Sequence, residues 1–373
     1  MNAVDKVLSE LHKSGTDIVF TLPCDRVKSL QHEITKTFKH VPLTREEEGV
    51  GIAAGASLTG LNPVMLIQSS GLGNMINALA SLTQFYKLPL FIMVSWRGVY
   101  KEGIEAQKPM GALVPKLLET MNIEYVRIVE PDDFSKIGEY AMKAYEGGKV
   151  TAVLLNPKIW EEDRDEVVQW NNMAGPNISQ QNTEQKASQS KYTRYQLIEG
   201  VKGALKGKVV VSNIGVPSKE LYDALHQPSN FYMMGSLGLA TSIGLGIALN
   251  TGNEVVVIDG DGSLLMNTGC LATTASESPS NLTILALDNG VHGSTGNQPT
   301  ATSKVVNLEI VAKGMGIKNT TSAHTPEEIR KAMQSGKGPR FIHIPAVPGN
   351  KNVQNIPLTA QEIKKGVMEF LKK

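Results

Sequence analysis

Cysteine is scarce in this chain of 373 residues: Cys24 and Cys270 stand far apart and outside any Cys-x-x-Cys spacing. That excludes a disulfide framework and a thiolate zinc site, and both thiols are expected to be reduced. An excess of charge of one sign is also missing. With 37 basic and 36 acidic residues the net charge is +1, and no block of Lys and Arg breaks the balance. Nucleic acid is therefore not an expected partner. Nor does the chain open on a long apolar run. In MNAVDKVLSELHKSG, Val4, Val7, Leu8 and Leu11 recur at helical spacing but are interrupted by Asp5, Lys6 and Glu10. Such a segment reads as an amphipathic helix rather than a signal peptide or a membrane span, so a cytoplasmic protein without a membrane partner is expected. His12, His32, His40 and His226 show no ligand spacing.

What is present is a repeated alternation of apolar runs and amphipathic segments. DIVFTL, VMLIQ, PLFIMV and TAVLL read as strands in the first half, and VVVS, EVVVI, LTILAL and RFIHI in the second. Strands alternating with helices build parallel sheets. Between the halves, residues 161–191 are polar, rich in Gln, Asn and Ser, and without periodicity, which reads as a linker. The predicted fold is therefore α/β: two similar doubly wound parallel-sheet domains, 1–160 and 192–373, with no third domain between them. Two late helices carry start signals, because Thr325 and Thr359 each stand three residues before a glutamate, Glu328 and Glu362.

The stretch VVVIDGDGSLLMNTG, residues 255–269, delivers a buried strand to an acidic turn almost free of side chains. Ligands in open α/β sheets gather at the carboxyl ends of strands, so Asp259 to Ser263 are expected to line a site. A calcium loop is one reading, but Leu264, Leu265 and Met266 occupy positions where oxygen ligands are needed. An aspartyl nucleophile turn of the haloacid dehalogenase type is a second, with Asp259 attacking phosphate. A plain strand-closing turn is a third. A second strand, LTILALDNGVHG, ends in Asp288-Asn289-Gly290, 28 positions beyond Asp261 for Asn289. One crossover then puts a carboxylate and an amide side by side, a hard oxygen set suited to Mg²⁺.

These residues resemble the thiamine diphosphate enzymes, whose motif is GDG followed nearly thirty residues later by an asparagine, here Gly260-Asp261-Gly262-Ser263 and Asn289, with Asp288 where many relatives carry a first asparagine. The resemblance implies that Asp261, Asn289 and the Val291 carbonyl hold Mg²⁺, which in turn holds the cofactor's diphosphate. It implies a glutamate ahead of a small-residue helix as the proton-sharing group: in LTREEEGVGIAAGASLTG, counting nine back from Gly55 selects Glu46. Glu47 and Glu48 are read as solvated residues favoured by the helix dipole. In FYMMGSLGLATSIGLGIALN, the Gly235-Ser236-Leu237 turn resembles the support of the bent cofactor. Asn213-Ile214-Gly215 resembles its diphosphate loop.

The absence of a central domain resembles phosphonopyruvate and sulfopyruvate decarboxylases. Residues 44–56, 68–82, 95–98 and 212–222 look most like a sulfopyruvate decarboxylase whose two subunits are fused in one chain. That implies decarboxylation of a small anionic 2-keto acid to sulfoacetaldehyde, in coenzyme M biosynthesis, by a homodimer or homotetramer with sites between chains. For the substrate's anionic end, the Ser70, Gly71 and Asn74 segment opens a helix after a strand and offers N–H groups, although Gly-rich packing explains it equally. Arg97 offers a planar donor fork, unless it is a surface arginine. His292 follows the metal turn as a proton carrier or as a structural histidine. Cys24 reads by default as a small buried hydrophobe.

Overall fold

Valine, isoleucine and leucine runs covered on both faces make the middle of two parallel sheets. The computed structural model describes residues 2–160 and 191–372; of the segment read as a linker, 161–190 lie outside the described residues. In the first half, strands β1 (Ile18–Thr21), β2 (Lys39–Pro42), β3 (Pro63–Gln68), β4 (Leu90–Ser95), β5 (Glu124–Ile128) and β6 (Val150–Leu155) form one sheet in the order β2-β1-β3-β4-β6-β5. The second half builds β7 (Val209–Ser212), β8 (Asn230–Tyr232), β9 (Val255–Gly260) and β10 (Leu282–Asp288), then a short antiparallel pair, β11 (Val291–His292) with β12 (Gln298–Pro299). With β13 (Asn319–Ser322) and β14 (Arg340–Pro345) its main sheet runs β13-β14-β10-β9-β7-β8. Every pairing in the two six-stranded sheets is parallel. Helices cover the sheets, the two-layered-over arrangement that a doubly wound chain requires, and no third domain separates the halves among the described residues.

Capping chemistry acts where the sequence placed it. Thr359 and Glu362 satisfy each other's backbone N–H groups at the start of helix Ala360–Leu371, and Thr325 accepts the Glu328 N–H at the start of Pro326–Met333. The opening helix, Ala3–Lys13, buries Val4, Val7 and Leu11. Among the described residues no helix is long and apolar enough to cross a membrane.

The halves meet through glycine. Helix Glu46–Leu58 crosses helix Ala240–Ala248 so closely that a Cβ on Gly55 would lie 2.3 Å from the Ile243 carbonyl oxygen, and one on Gly246 2.0 Å from that of Ile52. Only residues without a side chain permit backbone to meet backbone there. One hydrophobic core, including Ile52, Ala53, Ile243 and Ile247, runs through this crossing, and a second lies on the other face of the first sheet.

Candidate active site

The acidic turn stands where β9 ends, and β10 lies directly beside it in register, Ile258 opposite Leu285. Asp261 and Asn289 consequently line one cavity of about 290 Å³, together with Asn213, Ile214, Gly215, Leu237, Gly260, Gly262, Ser263, Val291 and His292. This gathers the turn residues expected from four separate stretches of sequence, and each follows from local structure. Gly215 has φ +87°, a conformation suited to glycine, and starts helix Val216–Ala224. Asn213 fixes the loop before it, its Oδ1 accepting the Ile214 N–H and its carbonyl accepting the Ser218 hydroxyl, both at 2.8 Å. Gly235 and Ser236 stand at the join of the halves rather than in the cavity: Ser236 Oγ lies 2.6 Å from Ser81 Oγ, and the Gly238 N–H donates to Ser263 Oγ at 3.1 Å.

Negative charge gathers at the turn end of this cavity, while the buried Arg194 lines it elsewhere and pairs with Glu220. Asp261 is almost wholly buried, and burial, with Asp288 beside it, pushes its carboxyl above the usual range; hydrogen bonds from Thr300 and Thr302 only partly offset this. Thr302 Oγ1 bridges the two carboxylates, 3.1 Å from Asp261 and 2.7 Å from Asp288. Asn289 is buried, with its Nδ2 unpartnered among the described residues. A carboxylate, an amide and the Val291 carbonyl are the hard donors that Mg²⁺ takes while phosphate oxygens complete its shell, so the residues fit a metal-bound diphosphate. Asp288, at the position where a first asparagine was expected, is turned away from the cavity and meets His343 Nε2 at 2.9 Å.

Asp259 is 1% exposed, its carboxylate taken by the Thr241 hydroxyl at 2.8 Å and the Gly260 N–H at 2.9 Å. It borders the cavity, but with both oxygens engaged it acts as an anchor for the strand end, which counts against the aspartyl phosphotransferase reading. The helix that follows begins at Asp261. It breaks after Met266, where Asn267 leaves helical geometry at φ −138°, ψ 53°, and a new helix starts at Gly269.

Glu46 lines a second cavity, of about 600 Å³, at the other end of that short helix. Thr44, Arg45, Gln68, Ser70 and Asn74 come to it from the first half, and Leu265 to Gly269 from the second. Glu46 is 3% exposed; its Oε2 accepts from Asn74 Nδ2 at 2.9 Å, and its Oε1 rests where a Cβ on Gly71 would be, at 2.5 Å. Ser70, Gly71 and Asn74 thus surround the glutamate. A helix of six residues, at about 1.5 Å per residue, separates the two cavities by roughly 9 Å, a span that a molecule with a heteroaromatic ring at one end and a diphosphate at the other can bridge.

Three expectations meet different structure. Glu48 is fully buried, not solvated: its Oε1 accepts the Thr44 N–H and the Thr273 hydroxyl, both at 2.7 Å, so it fixes the segment leading into its own helix and ties it to the second half. Arg97 lines neither of these cavities. Its Nε and Nη2 hold Glu102 at 2.6 and 2.8 Å, and its Nη1 holds Asp25 at 2.5 Å, which leaves no free fork for a substrate anion. The paired guanidinium, foremost, holds the Glu102 carboxyl down to about 2. His292 is exposed and rests over Gly262 in the metal-turn cavity, apart from Glu46, so the structure does not bring the two expected catalytic groups together. Cys24 is buried, its Sγ 3.3 Å from Ser95 Oγ. Sequence reasoning passed over Arg45 and Asn267. Arg45 carried a signal, adjacency to Glu46; Asn267 carried none, because the helix break that presents it is invisible in the residue pattern.

Comparison with known proteins agrees with this geometry. Residues 1–121 match the thiamine pyrophosphate enzyme N-terminal TPP binding domain, and residues 213–344 the C-terminal TPP binding domain. A sulfopyruvate decarboxylase of Methanosarcina acetivorans is 43% identical across 100% of this chain and 98% of its own length. A phosphonopyruvate decarboxylase of Streptomyces hygroscopicus is 32% identical over 99% of this chain and 94% of its own. The sulfopyruvate decarboxylase subunit alpha of Methanococcus maripaludis is 41% identical over 44% of this chain and its whole length. In fold, the 4-hydroxybenzoylformate decarboxylase of Rhodococcus jostii superposes with a TM-score of 0.71 at 14% identity, covering 94% of this chain and 100% of that one. With both binding domains matched, and with a full-length relative at this identity, the chain belongs to the thiamine pyrophosphate enzymes, among their 2-keto acid decarboxylases.

Proposed function

We propose that this chain is a thiamine diphosphate- and Mg²⁺-dependent sulfopyruvate decarboxylase, releasing CO₂ and sulfoacetaldehyde for coenzyme M biosynthesis. The observation that carries the reading is the pair of cavities at the two ends of helix Asp261–Met266, one acidic and lined by backbone, the other holding a buried glutamate. When bound, the cofactor supplies a nucleophilic carbon and an electron sink for the departing carboxylate. The chain does the rest. Asp261, Asn289 and the Val291 carbonyl would hold Mg²⁺, and the glycines at 215 and 260 line the same cavity without a side chain, which lets phosphate oxygens approach the backbone. Glu46, shielded from water and oriented by Asn74, would exchange a proton with the cofactor's ring nitrogen. His292, over Gly262, would serve the diphosphate end rather than the reacting carbon.

Phosphonopyruvate is the second reading, favoured by the 32% identical relatives that carry that name. Steady-state assays of the full chain with sulfopyruvate and phosphonopyruvate, beside calorimetry with thiamine diphosphate and Mg²⁺, test both. The expected result is micromolar cofactor binding that Asp261→Ala and Asn289→Ala abolish, with the higher kcat/KM for sulfopyruvate. Absence of cofactor affinity in the intact protein overturns the reading; a higher kcat/KM for phosphonopyruvate reassigns the substrate.

In assembly, we propose a homodimer or homotetramer in the cytoplasm whose sites lie between chains. In the single chain the two halves meet in cis. Exchange of halves between two chains makes the same contact in trans, a low-barrier route to a twofold dimer. Relatives divided into separate alpha and beta subunits support a half-to-half contact that needs no covalent link.

A further inference from the structure

Two side chains in the Glu46 cavity have no role in the reading above. Asn267, at the helix break, is 4% exposed, yet neither its Oδ1 nor its Nδ2 has a hydrogen-bond partner among the described residues. A buried amide with both ends unmade is rare in native proteins, and one that borders a cavity marks a place where a ligand completes it. Arg45 lines the same cavity from the first half. Its side chain is half exposed, its Nε pairs loosely with Glu47 at 3.3 Å, and it makes no hydrogen bond through its guanidinium among the described residues. Of the residues lining this cavity, Arg45 alone is cationic and Glu46 alone is anionic.

We propose that Arg45 and Asn267 form the subsite for the anionic group on C3 of the substrate, the sulfonate or phosphonate that stays behind when the carboxylate leaves, and that they set the preference for such 2-keto acids over pyruvate. This rests on the decarboxylase reading. The chemistry matches group by group. A guanidinium fork donates to two oxygens of a tetrahedral anion, and the amide Nδ2 donates to the third. The Asn267 Oδ1 accepts only from a protonated phosphonate, because a sulfonate carries no proton near neutral pH. The two walls come from different halves of the molecule, so the anion is gripped only where the halves meet. Anchoring the unreactive end lets binding energy be used at the keto carbon, while the carboxylate, denied the one cation that lines this cavity, is left poorly paired. Arg97, the arginine that sequence alone favoured, is already committed to Glu102 and Asp25.

The test uses the full chain with thiamine diphosphate and Mg²⁺, and the variants Arg45→Gln, Arg45→Lys and Asn267→Ala. For Arg45→Gln, kcat/KM toward sulfopyruvate or phosphonopyruvate is expected to fall roughly 10- to 100-fold, with kcat falling as well as KM rising, the loss that removal of a charged hydrogen bond produces. Activity toward pyruvate should change less than about threefold, and Arg45→Lys should recover part of the loss. A readout without turnover is calorimetric binding of sulfoacetate and phosphonoacetate, which wild type is expected to hold about tenfold or more tighter than Arg45→Gln or Asn267→Ala. Asn267→Ala weakening phosphonoacetate more than sulfoacetate shows that Oδ1 also accepts from the phosphonate hydroxyl; equal weakening shows that Nδ2 alone holds the anion. Equal affinity of wild type and both variants for these anions overturns the subsite. If wild type binds the anions in this way but decarboxylates no 2-keto acid, it is the decarboxylase reading that fails.

Discussion

The Tyr86 hydroxyl, wholly buried, donates to the Tyr232 carbonyl at 2.8 Å and accepts the Met234 N–H at 3.0 Å, so a first-half side chain completes the backbone at the end of β8. Gly235 and Ser236 come next in the chain, and Ser81, on the same first-half segment as Tyr86, holds Ser236. Tyr86→Phe keeps the ring and strands two buried backbone groups. We expect a loss of about 2 kcal/mol in unfolding free energy. Thiamine diphosphate affinity should fall with it, because the turn is no longer fixed. Urea unfolding and calorimetry on one preparation check both; an unchanged cofactor affinity shows that the turn is held from elsewhere.

A second prediction concerns acid. Glu102, held down to about 2 by Arg97 against the usual 4.5, stabilises the folded chain fully above about pH 4.5 and progressively less as pH falls toward 2. The full difference is worth up to about 3 kcal/mol. Glu102→Gln should therefore be less stable than wild type at pH 7 by about 2 kcal/mol, and the gap should narrow as the pH is lowered from 5 to 3. Urea midpoints across that range decide it, and a gap independent of pH assigns the loss to packing instead.

The third addresses assembly. Inactive Glu46→Ala and inactive Asp261→Ala are mixed under conditions that allow subunit exchange. With sites between chains, one site of each mixed dimer carries both defects and its twin carries none, so up to about half of wild-type activity per mixed dimer is expected to return. If every site is built from the halves of one chain, no activity returns.

How far the residues alone reveal the molecule depends on what each element faces. All eight strands read from the sequence are interior to the two six-stranded sheets; the four of those sheets that escaped, β2, β5, β8 and β13, are their four edges, and the two-residue strands β11 and β12 escaped as well. Three of the edges are covered less, so their residues need no continuous apolar run: KHVP, EYVRI and NTTS mix polar and apolar residues, while NFY is fully buried but only three residues long. The acidic turn was legible because an Asp/Gly run directly behind a continuous apolar strand is a local pattern. The substrate end was not, because an arginine's role depends on which acids it meets, and Glu102 and Asp25 reach Arg97 only in three dimensions. Glu48 shows the same limit, since its burial depends on Thr273, 225 positions away.

The helix Asp261–Met266 acts as a ruler. Both its ends belong to the second half, so the interval between the metal turn and Asn267 is set by hydrogen bonds within one element and is unaffected by how the two halves settle against each other. Variation along its exposed flank, at Met266 for instance, leaves that interval alone. A single inserted residue does not: it lengthens the helix by about 1.5 Å and rotates everything beyond it by about 100°, carrying Asn267 off its wall while Asp261 stays in place. Changes of length here are thus a stricter constraint on the chain's divergence than changes of residue.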